Sequence, residues 1–510
     1  MQLIGGYACF AVDNPQPIIE VMPDIRRGFV QGKHIIAVPH TTEHMALMRG
    51  FGLAAPSPIL ERYDWPGKFK PFKHQIETAR FLAENLRVFN LSGMGTGKTA
   101  SALWAADYLM HEGVIKRCLI AAPLSCLERV WGDALYQNFP HRKFVVLHGT
   151  RQARLALIKQ DWDFAIVNHH GLGIIGPELP SETNLLIFDE IAVFRNHNTK
   201  LLYGEAKKLM TPSRWAWGLT GSPTPNAPTD AWALSKLLTP ERYNGSFTRF
   251  KMETMYQVSQ FKWAPRRNAE EMVNHVLQPS IRYALEDCVD LPPTIYQERQ
   301  AALSQEQQLH YLKLKREAMT EVGGTQITAV NSAVLLNKLV QAATGCIYGA
   351  NGAIAEIDFG PRLEVLKECI NESGGKCLVS VPLTGVLHAL YEKLKRNYSC
   401  AVVEGATSAS KRNEIFKQFQ DSPNPRILIA NPATMAHGLT LTAAATTIWY
   451  APITSHEYYC QANARTARPG QTKTTNIIHI SAAPVEHKLY QALKERGRFQ
   501  DCVLELAKER

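Results

Sequence analysis

The order of apolar and polar residues predicts two stretches in which short buried strands alternate with helices. Apolar runs in the first stretch predict strands at 86–91, 118–122, 144–147, 164–167 and 185–188. In the second stretch they predict strands at 377–381, 400–403, 426–430, 446–449 and 476–480. Uninterrupted apolar strands separated by helical segments are typical of parallel sheets covered by helices. We therefore expect an α/β protein with two sheets.

Two other regions follow different patterns. Residues 1–65 predict a small α+β module with a strand at 35–38 and a helix that starts after Thr41, a candidate N-cap. Between 245 and 350 the alternation lapses, and Ser304 with Gln307 forms a capping-box pattern at the start of a helix. We interpret this second region as a helical insertion.

Composition and charge narrow the class of protein. Of the 510 residues, 45% are hydrophobic and 20% are charged, which excludes a mostly disordered chain. The formal net charge of +10 suits a polyanionic partner such as nucleic acid. No apolar run reaches about 18 residues, so we expect no membrane span. The ten cysteines include no Cys-x-x-Cys pair, which argues against a zinc site and favours buried thiols in a reducing cytoplasm.

The clearest chemical signal is a glycine-rich loop between a predicted strand and a predicted helix. Its sequence, Ser92-Gly-Met-Gly-Thr-Gly-Lys98-Thr99, is typical of a phosphate-binding loop, although Ser92 stands where the strict pattern has glycine. Glycines let backbone N–H groups face phosphate oxygens, and the helix N-terminus adds a positive dipole. Lys98 would contact the β- and γ-phosphates, and the Thr99 hydroxyl would bind Mg²⁺. The loop therefore predicts a nucleotide site.

A second motif ends the predicted strand at 185–188 with two adjacent carboxylates, Asp189 and Glu190. In isolation such a pair is usually a turn or a helix cap. Downstream of a phosphate-binding loop it is typical of a site in which Asp189 would hold Mg²⁺ and Glu190 would activate the attacking water. The two motifs together predict ATP hydrolysis.

Two arginines in the second stretch form a third motif. Arg465 and Arg468 lie three residues apart, and we expect them to share one face of a helix. Two neighbouring guanidinium groups would stabilise the charge on a γ-phosphoryl group during its transfer. In isolation, such a pair of arginines favours interpretation as part of a solvated basic surface. The flanking residues 461–471 favour the catalytic interpretation, because they belong to a wider resemblance.

Motifs in the order of a known family cover residues 70–482. Beside the loop and the acidic pair, they are Gln75, 219–226 (Leu-Thr-Gly-Ser-Pro-Thr-Pro-Asn), 438–442 (Gly-Leu-Thr-Leu-Thr) and 461–471. In these residues the chain resembles the superfamily 2 helicases and translocases, and more closely the compact bacterial or phage members of their Swi/Snf-like branch. The resemblance implies two RecA-like lobes, each with a parallel sheet, and ATP·Mg²⁺ bound to the first lobe.

The resemblance also implies roles for individual residues. Those implied to bind ATP are Gln75, which would read the adenine, Gly95, Thr96, Gly97, Lys98, Thr99 and Gly438. Those implied to couple nucleotide state to motion are Thr220, Gly221, Ser222 and Gln461. Those implied to contact the DNA backbone are Ser125, Asn168, Thr384, Thr407 and Thr440. The implied metal ligands are Thr99 and Asp189, and the implied catalytic residues are Glu190, Arg465 and Arg468.

We predict five regions along the chain. They are a small N-terminal accessory module (1–65), an ATP-binding RecA-like lobe 1 (66–244), a helical insertion or linker (245–350), a RecA-like lobe 2 (351–482) and a C-terminal helical segment (483–510). The N-terminal module is too short for an enzyme. It would either contact DNA as an accessory or pack against its neighbour.

The predicted function is a DNA-stimulated ATPase that translocates along duplex DNA in the cytoplasm of a bacterial cell or a phage-infected host. An unwinding or fork-remodelling helicase is the alternative within the same enzyme class, so forks and single strands stay candidate partners. A non-enzymatic DNA-binding scaffold with a decayed nucleotide site is the alternative of another class. The intact Lys98, Glu190, Arg465 and Arg468 argue against that scaffold. The expected cofactors are ATP and Mg²⁺; we expect no membrane partner, and the sequence identifies no protein partner.

Overall fold

The structure is a computed structural model in which the chain forms two compact units. It describes residues 1–259, 262–285, 287–288, 292–322, 329–348, 353–435 and 440–495. The first unit is Met1–Cys288 and the second is Val289–Arg510. The boundary between them falls inside the segment 245–350 that we predict as an insertion or linker. The five predicted regions and their bounds stay a prediction.

The first unit begins with a small antiparallel sheet packed on helices. Its strand order is β1-β2-β4-β3. The elements of this module are β1 (Gln2–Ile4), β2 (Tyr7–Val12), α1 (Gln16–Val21), β3 (Arg26–Val30), β4 (Lys33–Pro39), α2 (Thr42–Gly50) and α3 (Pro58–Arg62). Alternate residues of β2 and β4 form its core, among them Ala8, Phe10, Ile36 and Val38. The predicted cap is confirmed, because the Thr41 hydroxyl accepts a hydrogen bond from the His44 N–H.

The rest of the first unit is built around a seven-stranded parallel sheet of order β13-β5-β10-β9-β6-β8-β7. Its elements are α4 (Lys73–Glu84), β5 (Arg87–Asn90), α5 (Lys98–His111), β6 (Arg117–Ala122), α6 (Asp133–Asn138), β7 (Phe144–Leu147), α7 (Arg151–Ile158), β8 (Phe164–Asn168), α8 (Leu172–Ile175), β9 (Thr183–Asp189), α9 (Glu205–Lys208), β10 (Trp215–Leu219), α10 (Asp230–Leu238), α11 (Phe247–Thr254), β11 (Met255–Ser259), β12 (Lys262–Pro265), α12 (Ala269–Val276) and β13 (Ser280–Ile281).

Both faces of this sheet are buried, which explains the uninterrupted apolar strands. Along β6, Leu119 and Ala121 join the core on one face, whereas Cys118 and Ile120 join the core on the other. Every residue of such a strand meets an apolar neighbour, so no polar position interrupts the run.

The second unit contains a six-stranded parallel sheet of order β14-β21-β20-β17-β19-β18. Its elements are β14 (Thr294–Gln300), α13 (Gln305–Val322), α14 (Ala329–Thr344), β15 (Cys346–Tyr348), β16 (Ile354–Glu356), α15 (Gly360–Glu372), β17 (Lys376–Ser380), α16 (Thr384–Leu394), β18 (Cys400–Val403), α17 (Ala409–Asp421), β19 (Ile427–Ala430), β20 (Ala444–Trp449), α18 (His456–Asn463), β21 (Thr475–Ser481) and α19 (Pro484–Lys494). Every strand predicted from the apolar pattern in either unit is present, so the α/β expectation is confirmed.

The segment 245–350 is not the purely helical insertion that we expected. It contains strands as well as helices: β13 extends the first sheet, and β14 extends the second. Both lie at sheet edges, and most residues of β14 are exposed. An exposed edge strand needs no apolar run, so the pattern did not reveal it. The capping box is confirmed, because Ser304 Oγ accepts from the Gln307 N–H and Gln307 Oε1 accepts from the Ser304 N–H.

Within the described ranges, no helix has both the length and the apolar character needed to cross a lipid bilayer.

Candidate functional site

The candidate site of the first unit lies where three neighbouring strands of the parallel sheet end. In the order β5-β10-β9, Leu219 is in register with Asn90 on one side and with Asp189 on the other. The carboxyl ends of parallel strands share one edge, which is where open α/β sheets bind ligands. The phosphate-loop residues, the acidic pair and the motif at 219–226 are therefore brought together, as the resemblance implies.

The phosphate-binding loop joins β5 to the first turn of α5. Gly95 and Gly97 both have a φ of 83°, in the left-handed region that glycine adopts without a steric penalty. The Lys98 ammonium donates hydrogen bonds to the carbonyl oxygens of Ser92 and Gly93, at 2.8 and 3.0 Å. The lysine therefore lies over the loop, where the phosphates of a nucleotide would meet it.

The start of α4 packs directly on this loop. Gln75 Nε2 donates to the Thr96 carbonyl at 3.2 Å, and Gln75 Oε1 accepts from the Phe72 N–H at 3.0 Å. The imidazole Nε2 of His74 lies 2.8 Å from the same Thr96 carbonyl. A Cβ added at Gly97 would come within 2.2 Å of Gln75 Nε2 and would displace that side chain, and the φ of 83° itself favours glycine there. Gln75 thus lies against the nucleotide loop.

The serine that departs from the strict loop pattern has a structural partner. Ser92 is buried, and its Oγ accepts a hydrogen bond from the Tyr283 N–H at 3.1 Å. The Gly93 N–H donates to the Tyr283 carbonyl at 2.8 Å. The Tyr283 ring also packs on His74, with ring centroids 5.8 Å apart. The segment after β13 is therefore hydrogen-bonded to the nucleotide loop at both backbone groups of Tyr283.

Asp189 is a buried carboxylate with defined partners. Its Oδ2 accepts from the Trp131 indole N–H at 2.8 Å, and its Oδ1 accepts from the Glu190 N–H at 3.1 Å. His169 Nε2 lies 2.8 Å from the Asp189 carbonyl oxygen. Burial and the neighbouring Glu190 charge raise the pKa of the Asp189 carboxyl to about 6, against the opposing effects of Trp131 and Lys98. The site therefore concentrates negative charge at this strand end.

Glu190 is held in a specific orientation beside it. The residue has a φ of 50°, a left-handed conformation that is uncommon for a residue with a side chain. Its Oε2 accepts a hydrogen bond from Thr220 Oγ1 at 3.1 Å, and the same Thr220 oxygen accepts from the Ser222 N–H at 3.2 Å. A Cβ on Gly221 would lie 3.6 Å from the Ser92 carbonyl, so this glycine borders the phosphate loop. Thr220 thus contacts the candidate catalytic Glu190, whereas Ser222 contacts Thr220 and Gly221 borders the phosphate loop.

The donor set at this edge fits Mg²⁺. Asp189 supplies a carboxylate, and Thr99, in the first turn of α5, supplies a hydroxyl. Such oxygens suit Mg²⁺, which usually takes one or two protein ligands together with waters and substrate phosphates. A cation bound there would also offset the cost of burying the negative charge of Asp189.

The two candidate DNA contacts of the first unit lie at the same sheet edge. Ser125 follows β6 and is exposed. Asn168 ends β8, in register with Ala122, and its Oδ1 accepts from Arg154 Nη1 at 2.8 Å. The amide oxygen of Asn168 is therefore already engaged in a hydrogen bond, whereas Ser125 is an exposed residue.

Arg465 and Arg468 belong to the second unit and do not share a helix face. Helix α18 ends at Asn463, and both arginines follow in turns. Arg465 is buried, and its carbonyl accepts from the Leu441 N–H at 3.0 Å. Arg468 Nη1 donates to Thr440 Oγ1 at 3.4 Å. The expected helix does not continue because the backbone turns to pack against residues 440–442.

The other candidates of the second unit occupy different positions. Gln461 is buried on α18, and its Nε2 donates to Glu457 Oε1 at 3.2 Å. Thr384 is exposed at the start of α16. The Thr407 hydroxyl accepts from the Glu404 N–H at 3.0 Å. Gly438 lies outside the described residues.

Sequence reasoning did not assign Trp131, His74 or Tyr283 to the site. Trp131 lies in a short π-helical segment, Leu127–Gly132, and resembles any other core tryptophan in sequence. Segments of this kind often occur at functional sites, yet the sequence carries no signal for one. Residues that reach a site from sequentially distant segments become visible only in the folded chain.

Comparisons with known proteins match both units. Residues 74–346 match the family described as SNF2-related domain, and residues 361–470 match the helicase conserved C-terminal domain. The chain is 25% identical over 467 residues to putative protein p41 of Acyrthosiphon pisum secondary endosymbiont phage 1, covering 86% of this chain and 99% of that protein.

Two further relatives are much longer than this chain. The uncharacterized ATP-dependent helicase MG018 of Mycoplasma genitalium is 22% identical, over 79% of this chain and 39% of that protein. The human SWI/SNF-related matrix-associated actin-dependent regulator of chromatin subfamily A member 1 is 24% identical, over 81% of this chain and 41% of that protein. Among solved structures, the Sulfolobus solfataricus SWI2/SNF2 ATPase core in complex with dsDNA shares 19% identity at a TM-score of 0.42, covering 87% of this chain and 96% of that chain.

Proposed function

Because the chain belongs to the SNF2-related family of ATP-hydrolysing superfamily 2 enzymes, we propose that it is a DNA-stimulated ATPase that translocates along double-stranded DNA. The observation that carries the proposal is the Thr220–Glu190 hydrogen bond beside the phosphate-binding loop. It places an oriented carboxylate next to residues suited to hold a nucleotide. A DNA-binding scaffold that no longer hydrolyses ATP would not need a carboxylate oriented in this way.

In this proposal the first unit binds and activates ATP. The backbone of residues 95–97 and the Lys98 ammonium hold the phosphates, and Gln75 reads the adenine. Thr99 and Asp189 would hold Mg²⁺, which when bound would supply positive charge beside the phosphate oxygens. Glu190 orients the attacking water, and Thr220 keeps the Glu190 carboxylate in place.

The proposal also gives roles to residues of the second unit. Arg465 and Arg468 would stabilise the charge on the γ-phosphoryl group when the two lobes close, and Gly438 and Gln461 would contribute to binding and coupling. The Arg468–Thr440 hydrogen bond supports a link between the arginine segment and a candidate DNA contact. Closure would thereby connect hydrolysis to the grip on DNA.

The proposed partner is duplex DNA, held mainly by its phosphates. The formal net charge of +10 favours such a polyanion. Ser125, Asn168, Thr384, Thr407 and Thr440 are the proposed backbone contacts. The proposal also places the protein in the reducing cytoplasm of a bacterial or phage-infected cell, and the free thiols of the described cysteines support it.

The first experiment measures ATPase rate with no DNA, single strands, duplexes and forks. We expect stimulation by duplexes of unrelated sequence, and displacement of a third strand from a triplex without separation of the duplex beneath it. Strand separation on forks without triplex displacement would favour the unwinding helicase. Glu190→Gln should bind ATP while turnover falls by orders of magnitude. If the unaltered protein bound DNA but had no ATPase activity with any of these DNAs, the non-enzymatic DNA-binding scaffold would be favoured.

A second experiment tests the arginines. Arg468→Ala should lower DNA-stimulated turnover by about 10³-fold or more while ATP affinity changes little, because the arginine would act only after closure. Lys473→Ala removes an exposed cation nearby and is the matched control. A loss of ATP affinity with unchanged residual turnover would instead make Arg468 a binding residue of the open state.

A further inference from the structure

The four-stranded sheet of the N-terminal module ends in an exposed edge hairpin, formed by β3 and the first residues of β4. The two strands pair Val30 with Lys33 and are joined by a tight turn in which Gln31 and Gly32 have φ values of 51° and 80°. All five residues of β3 are exposed. We call residues 26–34 the basic ribbon.

The module is anchored to the rest of the first unit by other elements. Arg49 of α2 forms an ion pair with Glu84 of α4 at 2.7 Å, and the Thr42 hydroxyl lies 3.3 Å from the Tyr108 hydroxyl of α5. The sequence left two roles open for the module, and one of them was packing against the neighbouring region. That packing involves α2, which contacts α4 and α5. The β3 edge of the sheet stays accessible.

All the Asp, Glu, Lys and Arg residues of the basic ribbon are cations: Arg26, Arg27 and Lys33. Arg26, Arg27 and Lys33 are exposed, and the sequence has no acidic residue between Asp24 and Glu43. Within the described residues, no ion pair involves these three cations. Their charges are therefore available to an external anion.

Aromatic groups accompany these charges. The Arg26 guanidinium lies 4.2 Å from the centre of the Tyr7 ring, which holds the charged group at the surface. Phe29 is 65% exposed and packs edge-on against His34, with ring centroids 5.0 Å apart. Guanidinium groups with an exposed aromatic ring suit a partner that combines phosphates with flat bases.

We propose that the basic ribbon is a DNA-binding surface separate from the motif residues of the two lobes. Arg26, Arg27 and Lys33 contact backbone phosphates, and Phe29 contacts a groove or an exposed base. A second copy of the chain fits less well, because charged side chains on an edge strand oppose pairing between two such edges. The inference rests on the proposed DNA binding of this protein.

The test compares DNA affinity over a salt series, without nucleotide, for duplexes, single strands and forks. Combined Arg26→Ser, Arg27→Ser and Lys33→Ser substitutions should weaken binding about ten-fold or more at low salt. They should also reduce the slope of log affinity against log salt by about two to three, since each duplex phosphate contact contributes roughly 0.9. ATPase activity without DNA should stay unchanged.

The matched control removes three lysines whose charges are already paired. Lys116, Lys143 and Lys208 form surface ion pairs with Glu182, Asp161 and Glu205. Their combined replacement by serine lowers the net charge by the same amount. Because these lysines lie outside the basic ribbon, the DNA affinity and the salt slope should stay close to those of the unaltered protein. Equal effects of the two triple variants would overturn the proposal, because net charge alone would explain them.

A photoreactive phenylalanine analogue at position 29 supplies a direct readout. Crosslinking to DNA supports the proposal, whereas crosslinking only to protein overturns it. If the unaltered protein binds no DNA, both the proposed function and this inference fail. If it binds DNA and the ribbon variant binds equally well, only this inference fails.

Discussion

The indole N–H of Trp131 donates a hydrogen bond of 2.8 Å to Oδ2 of Asp189, and both residues are buried. Oδ1 of the same carboxylate accepts from the Glu190 N–H, so each oxygen has a fixed donor. The candidate metal ligand is therefore oriented by a tryptophan that itself contacts neither metal nor nucleotide in the proposed mechanism. Partners that orient a ligand in this way affect metal affinity through geometry.

The first prediction concerns this orientation. Trp131→Phe retains an aromatic ring but removes the donor to Oδ2, so only the Glu190 N–H still orients the Asp189 carboxylate. We expect the affinity for ADP in the presence of Mg²⁺ to fall about ten-fold, while the affinity for metal-free ADP stays nearly constant. Calorimetry with and without Mg²⁺ measures both.

Trp162→Phe is the matched control for that substitution. Trp162 is equally buried, and its indole N–H donates to the Ile158 carbonyl at 2.9 Å, in a helix–loop contact rather than at the acidic pair. We expect its Mg²⁺-dependent gain in ADP affinity to match that of the unaltered protein. The same loss in both variants would assign Trp131 to packing alone.

The second prediction concerns the hydrogen bond from Thr220 to Glu190. Thr220→Val preserves shape but removes the hydroxyl that orients the carboxylate. Hydrogen bonds to charged groups contribute about 1.5–3 kcal/mol, so turnover should fall about 10- to 100-fold with little change in ATP affinity. Thr220→Ser retains the hydroxyl and should retain most of the turnover. If serine and valine impair turnover equally, the hydroxyl has no orienting role.

The third prediction concerns stability and pH in the second unit. His479 is fully buried, and its Nε2 lies 2.9 Å from the Tyr459 hydroxyl. Burial lowers the pKa of His479 from 6.5 to about 4, with a further contribution from Lys494. As pH falls, the His479 imidazole is therefore protonated in the unfolded chain before it is protonated in the folded protein. The contribution of His479 to the free energy of unfolding is complete above pH 6.5 and is lost between pH 6.5 and 4.

The loss should amount to about 3 kcal/mol, and it should appear as a fall in unfolding temperature between neutral and acid pH. His479→Gln removes the titrating group, so its unfolding temperature should depend less on pH over the same range. His148→Gln, which changes an exposed histidine, is the control. Parallel pH profiles for all three proteins would contradict the prediction.

The fourth prediction concerns a buried ion pair between α15 and α19. Arg362 Nη2 and Glu486 Oε1 lie 2.7 Å apart, and both side chains are fully buried. Glu486→Leu leaves the guanidinium without its counter-charge in an apolar interior, so we expect a loss of about 3–5 kcal/mol in the free energy of unfolding. Denaturant unfolding of the second unit measures it.

Glu372→Leu provides the comparison, because Glu372 pairs with Arg299 at 2.6 Å at the surface, where both side chains are partly exposed. Solvent screens such a pair, and its removal should cost about 1 kcal/mol or less. Similar losses in the two variants would mean that burial does not set the contribution of the Arg362–Glu486 pair.

The two parallel sheets could be predicted from sequence because burial on both faces removes polar positions from a strand. The strand at 144–147 and the strand at 400–403 are found with the bounds that the apolar runs predict. The capping box of Ser304 and Gln307 was also predictable, since its partners are three residues apart. Signals of this kind depend only on local spacing.

The sequence predicted the phosphate loop, the acidic pair and the motif at 219–226, but the structure shows that they meet at one sheet edge. They meet because β5, β10 and β9 are neighbours and parallel strands end on the same side. The expected helix through Arg465 and Arg468 was wrong, because packing against residues 440–442 ends α18 at Asn463. Local helical spacing cannot report that long-range contact.

By itself, the sequence therefore determined the class of fold and predicted the residues of a nucleotide site, because both depend on residue types at short spacings. Only the tertiary structure decided that Trp131 orients Asp189, that Tyr283 binds the loop through Ser92, and that β3 stays exposed. The residues of these contacts are separated by 58 and 191 positions along the chain. Contacts of that kind follow from how the strands and helices pack, and no local pattern of apolar and polar residues encodes them.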